Sequence, residues 1–227
     1  MPDPNLPLLE DAVHKLAPLL NEIVFVGGVT LGLLITDKAA APTRITNDVD
    51  VIAEIVTYAD YIAFSERLRT ANFSEDEGEN PITCRWHNGA LIVDVLALNE
   101  EVLGFTNLWY KSALRHAAPY VLPSGPTIRI ITAPFFLGTK MEAFRGRGKM
   151  DFQFSHDLED FVAVIEGRDT LLREIAESPQ NLREYLAKAA KSLLDEPRFI
   201  DVLPGFVLDN ERVPLILDRL ADIVQTG

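Results

Sequence analysis

The run Leu91-Ile92-Val93-Asp94-Val95-Leu96 is apolar at every position but one. A short, nearly continuous apolar segment of this kind belongs in the interior of a sheet, with both faces covered. An unpaired carboxylate would cost several kcal/mol in that setting. Asp94 therefore needs a metal, a cation or a hydrogen-bond partner. Just upstream lies Ile82-Thr83-Cys84-Arg85-Trp86-His87, a second strand-like run. Asn88-Gly89 between two such runs is a strong hairpin signal, so Asp94 rides on the returning strand.

A second acidic feature precedes it, in Thr46-Asn47-Asp48-Val49-Asp50-Val51-Ile52. If residues 48–53 form a strand, Asp48 and Asp50 project from one face, because side chains alternate across a strand. Two like charges held that close repel, an arrangement better suited to a pair of divalent cations than to bare surface. Further upstream, Ile23-Val24-Phe25-Val26 reads as a short buried strand and Val29-Thr30-Leu31-Gly32-Leu33-Leu34 as a helix. Gly27-Gly28 sits at the junction, where backbone N–H groups can approach phosphate oxygens at the positive end of a helix. Taken singly, the glycine pair also fits a tight turn, and Asp-x-Asp also fits a solvated loop or strand end. Their order, with a downstream aspartate in an apolar strand, is what joins them.

The remaining pattern predicts a helix over about 7–21, a helix capped by Thr57 and running to Asn72, and a strand region over 119–132 around Pro123-Ser124-Gly125-Pro126. Helical patterning then takes over: 135–144, a helix opened by Ser155 and running to about Glu166, and helices over about 169–194 and 210–225 interrupted at Pro197, Pro204 and Pro214. The fold class expected is α+β, a mixed β-sheet flanked by helices with a helical C-terminal region. A core over 1–132 and a helical region over 133–227 follow. The chain has 227 residues and 48% hydrophobic content, enough for one large core with an appendage. Its net charge of −13 argues against a broad nucleic-acid-coating basic surface, though not against a local basic cleft. The single cysteine, Cys84, rules out an intrachain disulfide and fits a reducing cytoplasm. With no signal-peptide pattern and no apolar run of membrane-spanning length, a soluble cytoplasmic protein without a membrane partner is expected.

Gly27-Gly28, the Thr46-Asn47-Asp48-Val49-Asp50 run and Asp94 together resemble the signature of the DNA polymerase β-like nucleotidyltransferase superfamily. Within it, the chain is similar to the minimal enzymes grouped with the AbiEii-type toxins of bacterial toxin–antitoxin and phage-defence systems. Arg44 and Thr46 match the Arg or Ser that precedes Asp-x-Asp in that subgroup. Lys140, Arg145 and Asp157-Leu158-Glu159-Asp160 match its later helical motif. The resemblance spans roughly residues 20–167. It implies Mg²⁺ or Mn²⁺ held by Asp48, Asp50 and Asp94, with Asp94 also assisting deprotonation of an attacking hydroxyl. It further implies a nucleoside triphosphate substrate bound by Gly27, Gly28, Arg44, Thr46, Lys140 and Arg145. Lys140 would stabilise the leaving pyrophosphate, and Asp157 would be a required carboxylate. The acceptor would be RNA, tRNA included, or a protein, and a toxin role would make an antitoxin a partner. The chain departs from the pattern in a longer gap between Gly28 and Asp48 and in the basic segment Gly146-Arg147-Gly148-Lys149.

Duller roles stand beside these. Lys140 fits a solvated helix residue, Ser155-His156-Asp157 an N-cap with an acidic first turn, the basic 145–149 segment a solvated loop, and Trp86 and His87 hairpin packing rather than base stacking. Two other functions compete. One is a noncatalytic nucleotide-binding protein with this fold that acts through a partner. The other is a haloacid-dehalogenase-type phosphatase, whose nucleophile motif Asp48-Val49-Asp50 superficially fits, although that motif should follow an apolar strand and residues 44–47 are mostly polar.

Overall fold

The computed structural model describes residues 3–77, 80–146, 148 and 150–227. Its chain divides into two compact units. The first, Pro2–Gly32 with Arg44–Thr132, contains a seven-stranded mixed sheet. The second, Leu33–Thr43 with Ala133–Gly227, is helical.

In the sheet unit, α1 (Leu6–Lys15) carries Pro7 in its first turn, where the missing N–H costs nothing. It ends earlier than the predicted 7–21. Pro18 cannot donate to the helical ladder, and residues Ala17–Leu19 close instead as a 3₁₀ turn. Strand β1 (Ile23–Val26) is buried at all four positions, as its apolar sequence requires. The Gly27-Gly28 junction leads into a 3₁₀ turn over Gly28–Thr30 and the single α-turn α2 (Leu31–Leu34), a shorter and tighter entry than one continuous helix. Strand β2 (Val49–Ala53) begins one residue after Asp48. Helix α3 (Tyr58–Thr70) opens on a capping box, in which the Thr57 hydroxyl accepts from Asp60 N–H and the Asp60 carboxylate accepts from Thr57 N–H.

Strand β3 (Ser74–Glu75) forms one edge of the sheet. Strands β4 (Arg85–Asn88) and β5 (Leu91–Leu96) form the predicted hairpin, with Asn88 opposite Leu91 and Gly89 at φ +63° in the turn. Helices α4 (Glu100–Leu103) and α5 (Tyr110–Arg115) follow, and then the hairpin β6 (Ala118–Val121) and β7 (Thr127–Ile130). The strand order is β3-β4-β5-β2-β1-β7-β6. Pairing is parallel for β2/β5 and β1/β7 and antiparallel elsewhere. The central strands β1, β2 and β5 supply much of this unit's core, including Phe25, Val51, Ile52, Val93 and Val95, and α1 packs on β2 and β5 through Leu9, Ala12 and Val13.

The helical unit contains α6 (Ala133–Arg145), α7 (His156–Gly167), α8 (Leu171–Ala176), α9 (Gln180–Leu194), α10 (Pro197–Val202) and α11 (Val213–Val224). Ser155 caps α7 as its position suggested, its Oγ accepting from Leu158 N–H. Leu33–Thr43 joins this unit through hydrogen bonds from Thr36 and Asp37 N–H to the carbonyl of Gly167 and from Arg168 to the carbonyl of Leu34. Among the described residues, no helix is long and apolar enough to cross a membrane.

Candidate active site

Strand register assembles the acidic residues of the sheet unit. Asp50 of β2 lies directly opposite Asp94 of β5 in the parallel pair, and Arg85 of β4 lies opposite Asp94 in the antiparallel pair. On the far side of Asp50 comes Val26, the last residue of β1 before the glycines. One lateral row therefore reads Arg85, Asp94, Asp50 and Val26. Asp48, two residues before Asp50 and just ahead of β2, meets the row through Arg85.

The partner that Asp94 requires is Arg85. Its Nε donates to Asp94 Oδ1 at 2.8 Å and one terminal nitrogen donates to Oδ2 at 2.8 Å, a bidentate fork. The same terminal nitrogen reaches Asp48 Oδ2 at 3.2 Å. Asp94 is only 8% exposed, so these bonds are what make a charged carboxylate tolerable there. Reciprocally, the hydrogen bonds it donates to Asp94 hold the Arg85 guanidinium above its ordinary pKa, against the opposing effect of burial. Next to it, burial pushes the Cys84 thiol up to about 12, and the charges of Asp94 and Asp50 push in the same direction. Cys84 is thus an inert core thiol.

Gly27 closes the row. Its φ of +68° is a left-handed conformation that side chains disfavour, and a Cβ there would overlap the Asp50 carboxylate. The junction therefore needs glycine both for its backbone and for the approach of Asp50. Gly28 is packed against Arg44 and Thr46, each with an atom 3.4 Å from where its Cβ would stand. Thr46 donates its hydroxyl to Asp48 Oδ1 at 2.9 Å. Gly27, Gly28, Arg44, Thr46, Asp48, Asp50 and Asp94 thus form one continuous constellation within the sheet unit.

The expected divalent-cation role can be tested against the donors present. Three hard carboxylate oxygen donors on one face are the chemistry that Mg²⁺ or Mn²⁺ takes. As they stand, no three Asp, Glu, His or Cys side chains among the described residues converge closely enough to hold an ion. The donor types fit, and the Arg85 guanidinium is the cation that Asp48 and Asp94 share.

Lys140 and Asp157 belong to the helical unit. Lys140 is not a solvated helix residue: it is 7% exposed, with Nζ 3.1 Å from Asp157 Oδ1 and 2.6 Å from Asp160 Oδ2, and it lies over the Phe136 ring. Asp160, absent from the expected site, is fully buried beside it. The guanidinium of Arg145 lies over the ring of Tyr185. Arg147 and Lys149 of the basic segment lie outside the described residues. Trp86 is fully buried, which makes it a packing residue and not a base-stacking surface.

Comparison with known proteins adds likenesses at low identity. No family model matches the chain. No curated protein matches it either. Among solved structures, an antigenic nucleotidyltransferase-like protein from Paracoccidioides brasiliensis is similar at 16% identity and a TM-score of 0.48, over 90% of this chain and 93% of its own. The JHP933 protein from Helicobacter pylori is similar at 14% identity and a TM-score of 0.49, over 96% of this chain and 90% of its own.

Proposed function

We propose that this chain is a nucleotidyltransferase that moves a nucleoside monophosphate from a triphosphate to a hydroxyl group of RNA, tRNA included, or of a protein. The observation that carries this reading is the register of the sheet. Asp50 stands opposite Asp94 on parallel strands, Asp48 is tied to Asp94 through the shared Arg85, and Gly27 abuts Asp50 at the head of the next turn. That combination pairs a carboxylate cluster with a glycine turn whose amides suit phosphate oxygens.

Asp48, Asp50 and Asp94 would hold Mg²⁺ or Mn²⁺, which supplies charge neutralisation on the phosphates and orients the attacking hydroxyl. The chain's own residues do the rest. Thr46 fixes one Asp48 oxygen, and Arg44 brings its guanidinium to the glycine turn, where it would meet a phosphate. Arg85 sets the orientation of Asp94 and is the group that must give way for both Asp94 oxygens to serve another cation. Loss of Arg44 or Thr46 is expected to weaken triphosphate affinity. A toxin role with an antitoxin partner would be one use of such chemistry.

One observation favours a second reading, nucleotide binding without transfer: both oxygens of Asp94 are engaged by Arg85. A phosphatase with an aspartyl nucleophile finds no such support, since β2 follows Asp48 rather than leading into it. The deciding experiment incubates the protein and its Asp48→Ala, Asp50→Ala double variant with Mg²⁺ and each labelled triphosphate, with total RNA or cell protein as acceptor. Label transfer lost in the double variant is the expected result. Triphosphate binding with no transfer by the unmodified protein would leave the second reading standing in its place.

A further inference from the structure

We propose that Asn5, at the head of α1, is a positioning residue of this site, holding the 44–46 segment against the Gly27-Gly28 turn; the proposal rests on the nucleotidyl-transfer reading above. Asn5 is 1% exposed, and its side-chain amide is used from both ends. Nδ2 donates to the carbonyl of Arg44 at 2.9 Å, and Oδ1 accepts from Thr46 N–H at 3.0 Å. Those two backbone groups are spaced as a neighbouring strand would meet them, yet residues 41–46 lie in no strand or helix. A single side chain thus does for this segment what a ladder does for β2.

The consequences reach the candidate site through covalent neighbours. Fixing the Thr46 backbone fixes its hydroxyl, which holds Asp48 Oδ1, while the other Asp48 oxygen meets Arg85. Fixing the Arg44 carbonyl constrains the residue whose guanidinium faces Gly28. The clamp itself is anchored. Asn5 N–H donates to Asp3 Oδ1 at 2.9 Å, the Asp3 carboxylate packs where a Cβ on Gly32 would stand, and Leu9 N–H donates to the Asn5 carbonyl at 3.0 Å. Helix α1 then packs on β2 and β5, the strands that bear Asp50 and Asp94. Clamp and carboxylates are therefore tied to the same two strands, and the side chain that holds the 44–46 segment comes from about forty residues upstream in the chain.

The test compares Asn5→Ala, the isosteric Asn5→Asp and a control, Leu68→Ala. Leu68 is fully buried in α3, a helix that carries no residue of the clamp or of the acidic row. Each protein is titrated with Mg²⁺ and nonhydrolysable analogues of ATP, GTP, CTP and UTP, and its melting temperature is recorded. Loss of two buried hydrogen bonds predicts about tenfold weaker binding of the preferred analogue in Asn5→Ala. Asn5→Asp, which keeps shape and the Thr46 acceptor but loses the donor to Arg44, should also weaken binding. It serves alone if the alanine variant does not fold. Leu68→Ala should melt lower yet bind within about twofold of the unmodified protein, since it removes core packing away from the clamp and from α1. Unchanged affinity in the Asn5 variants, or affinity falling in step with melting temperature across all three, would overturn the positioning role alone. If the unmodified protein binds none of the analogues, the nucleotidyl-transfer reading fails and this role falls with it.

Discussion

Arg85 is the residue on which the acidic row turns. It gives Asp94 a bidentate partner and touches Asp48, with side chains of Arg85, Asp94 and Asp48 that are 23%, 12% and 35% exposed. Replacing it by alanine strands a largely buried carboxylate, which costs on the order of 2–4 kcal/mol because the pair is not fully desolvated. The melting temperature of Arg85→Ala should fall accordingly. If these carboxylates also bind a divalent cation, millimolar Mn²⁺ should raise that temperature more in the variant than in the unmodified protein, and equal responses would count against a shared cation site. Arg85→Lys should recover only part of the loss, since a lysine cannot fork. Cys84 makes a separate prediction. Its folded pKa lies near 12, above its ordinary value of 9.0, so between those values the folded state keeps a proton that the unfolded state has lost. The thiol's contribution is therefore complete below about pH 9 and declines as pH rises toward 12. Native protein at pH 8 should not react with a thiol reagent, and Cys84→Ala should flatten the alkaline decline in stability.

At the scale of elements, much was legible because the signals were local. Thr57 three residues before Asp60, Ser155 before an apolar helix, and Asn88-Gly89 between strand-like runs each act within a few residues of where they stand. What escaped was register. A turn centred on Asn88-Gly89 would put Thr83 opposite Asp94, whereas the observed turn residues are Gly89 and Ala90, which brings Arg85 there instead. The requirement for a metal, a cation or a hydrogen-bond partner beside Asp94 was readable, but which of these meets it depended on that shift. Asn5 was less accessible still, because nothing near it in the chain signals a partner at 44–46. Likewise, nothing local announces that Lys140 of α6 is held between Asp157 and Asp160 of α7. That triad yields the next prediction. Lys140→Met leaves two buried carboxylates without their cation, and loss of such a partner costs about 3–5 kcal/mol. The variant should melt well below the unmodified protein. Lost activity in it would then need correcting for lost fold before any catalytic role is read from it, for example by assay well below its melting temperature.

At the scale of the whole molecule, the chain enters the helical unit twice. Leu33–Thr43 belongs to it although the 89 residues of Arg44–Thr132 separate that segment from Ala133. The ties are specific. Thr36 and Asp37 N–H both donate to the Gly167 carbonyl at 2.8 and 2.9 Å, and Arg212 bridges Asp37 and the buried Glu166. Ile35 packs so closely on Gly167 that a Cβ there would stand 2.8 Å from it. None of this is written in local pattern, since the partners of this segment lie beyond position 160. A fragment of residues 133–227 therefore lacks acceptors and donors that its own helices are built to meet. Asp37 in particular helps neutralise Arg212, and its carboxyl is held below the ordinary value first by the Ala39 N–H and then by Arg212. Fusing residues 33–43 to that fragment through a flexible linker restores the segment at millimolar effective concentration. The fused fragment should be more helical and melt higher than residues 133–227 alone, and Gly167→Ala should remove most of that gain by displacing Ile35. Identical melting curves with and without the segment would show that the helical unit does not depend on it.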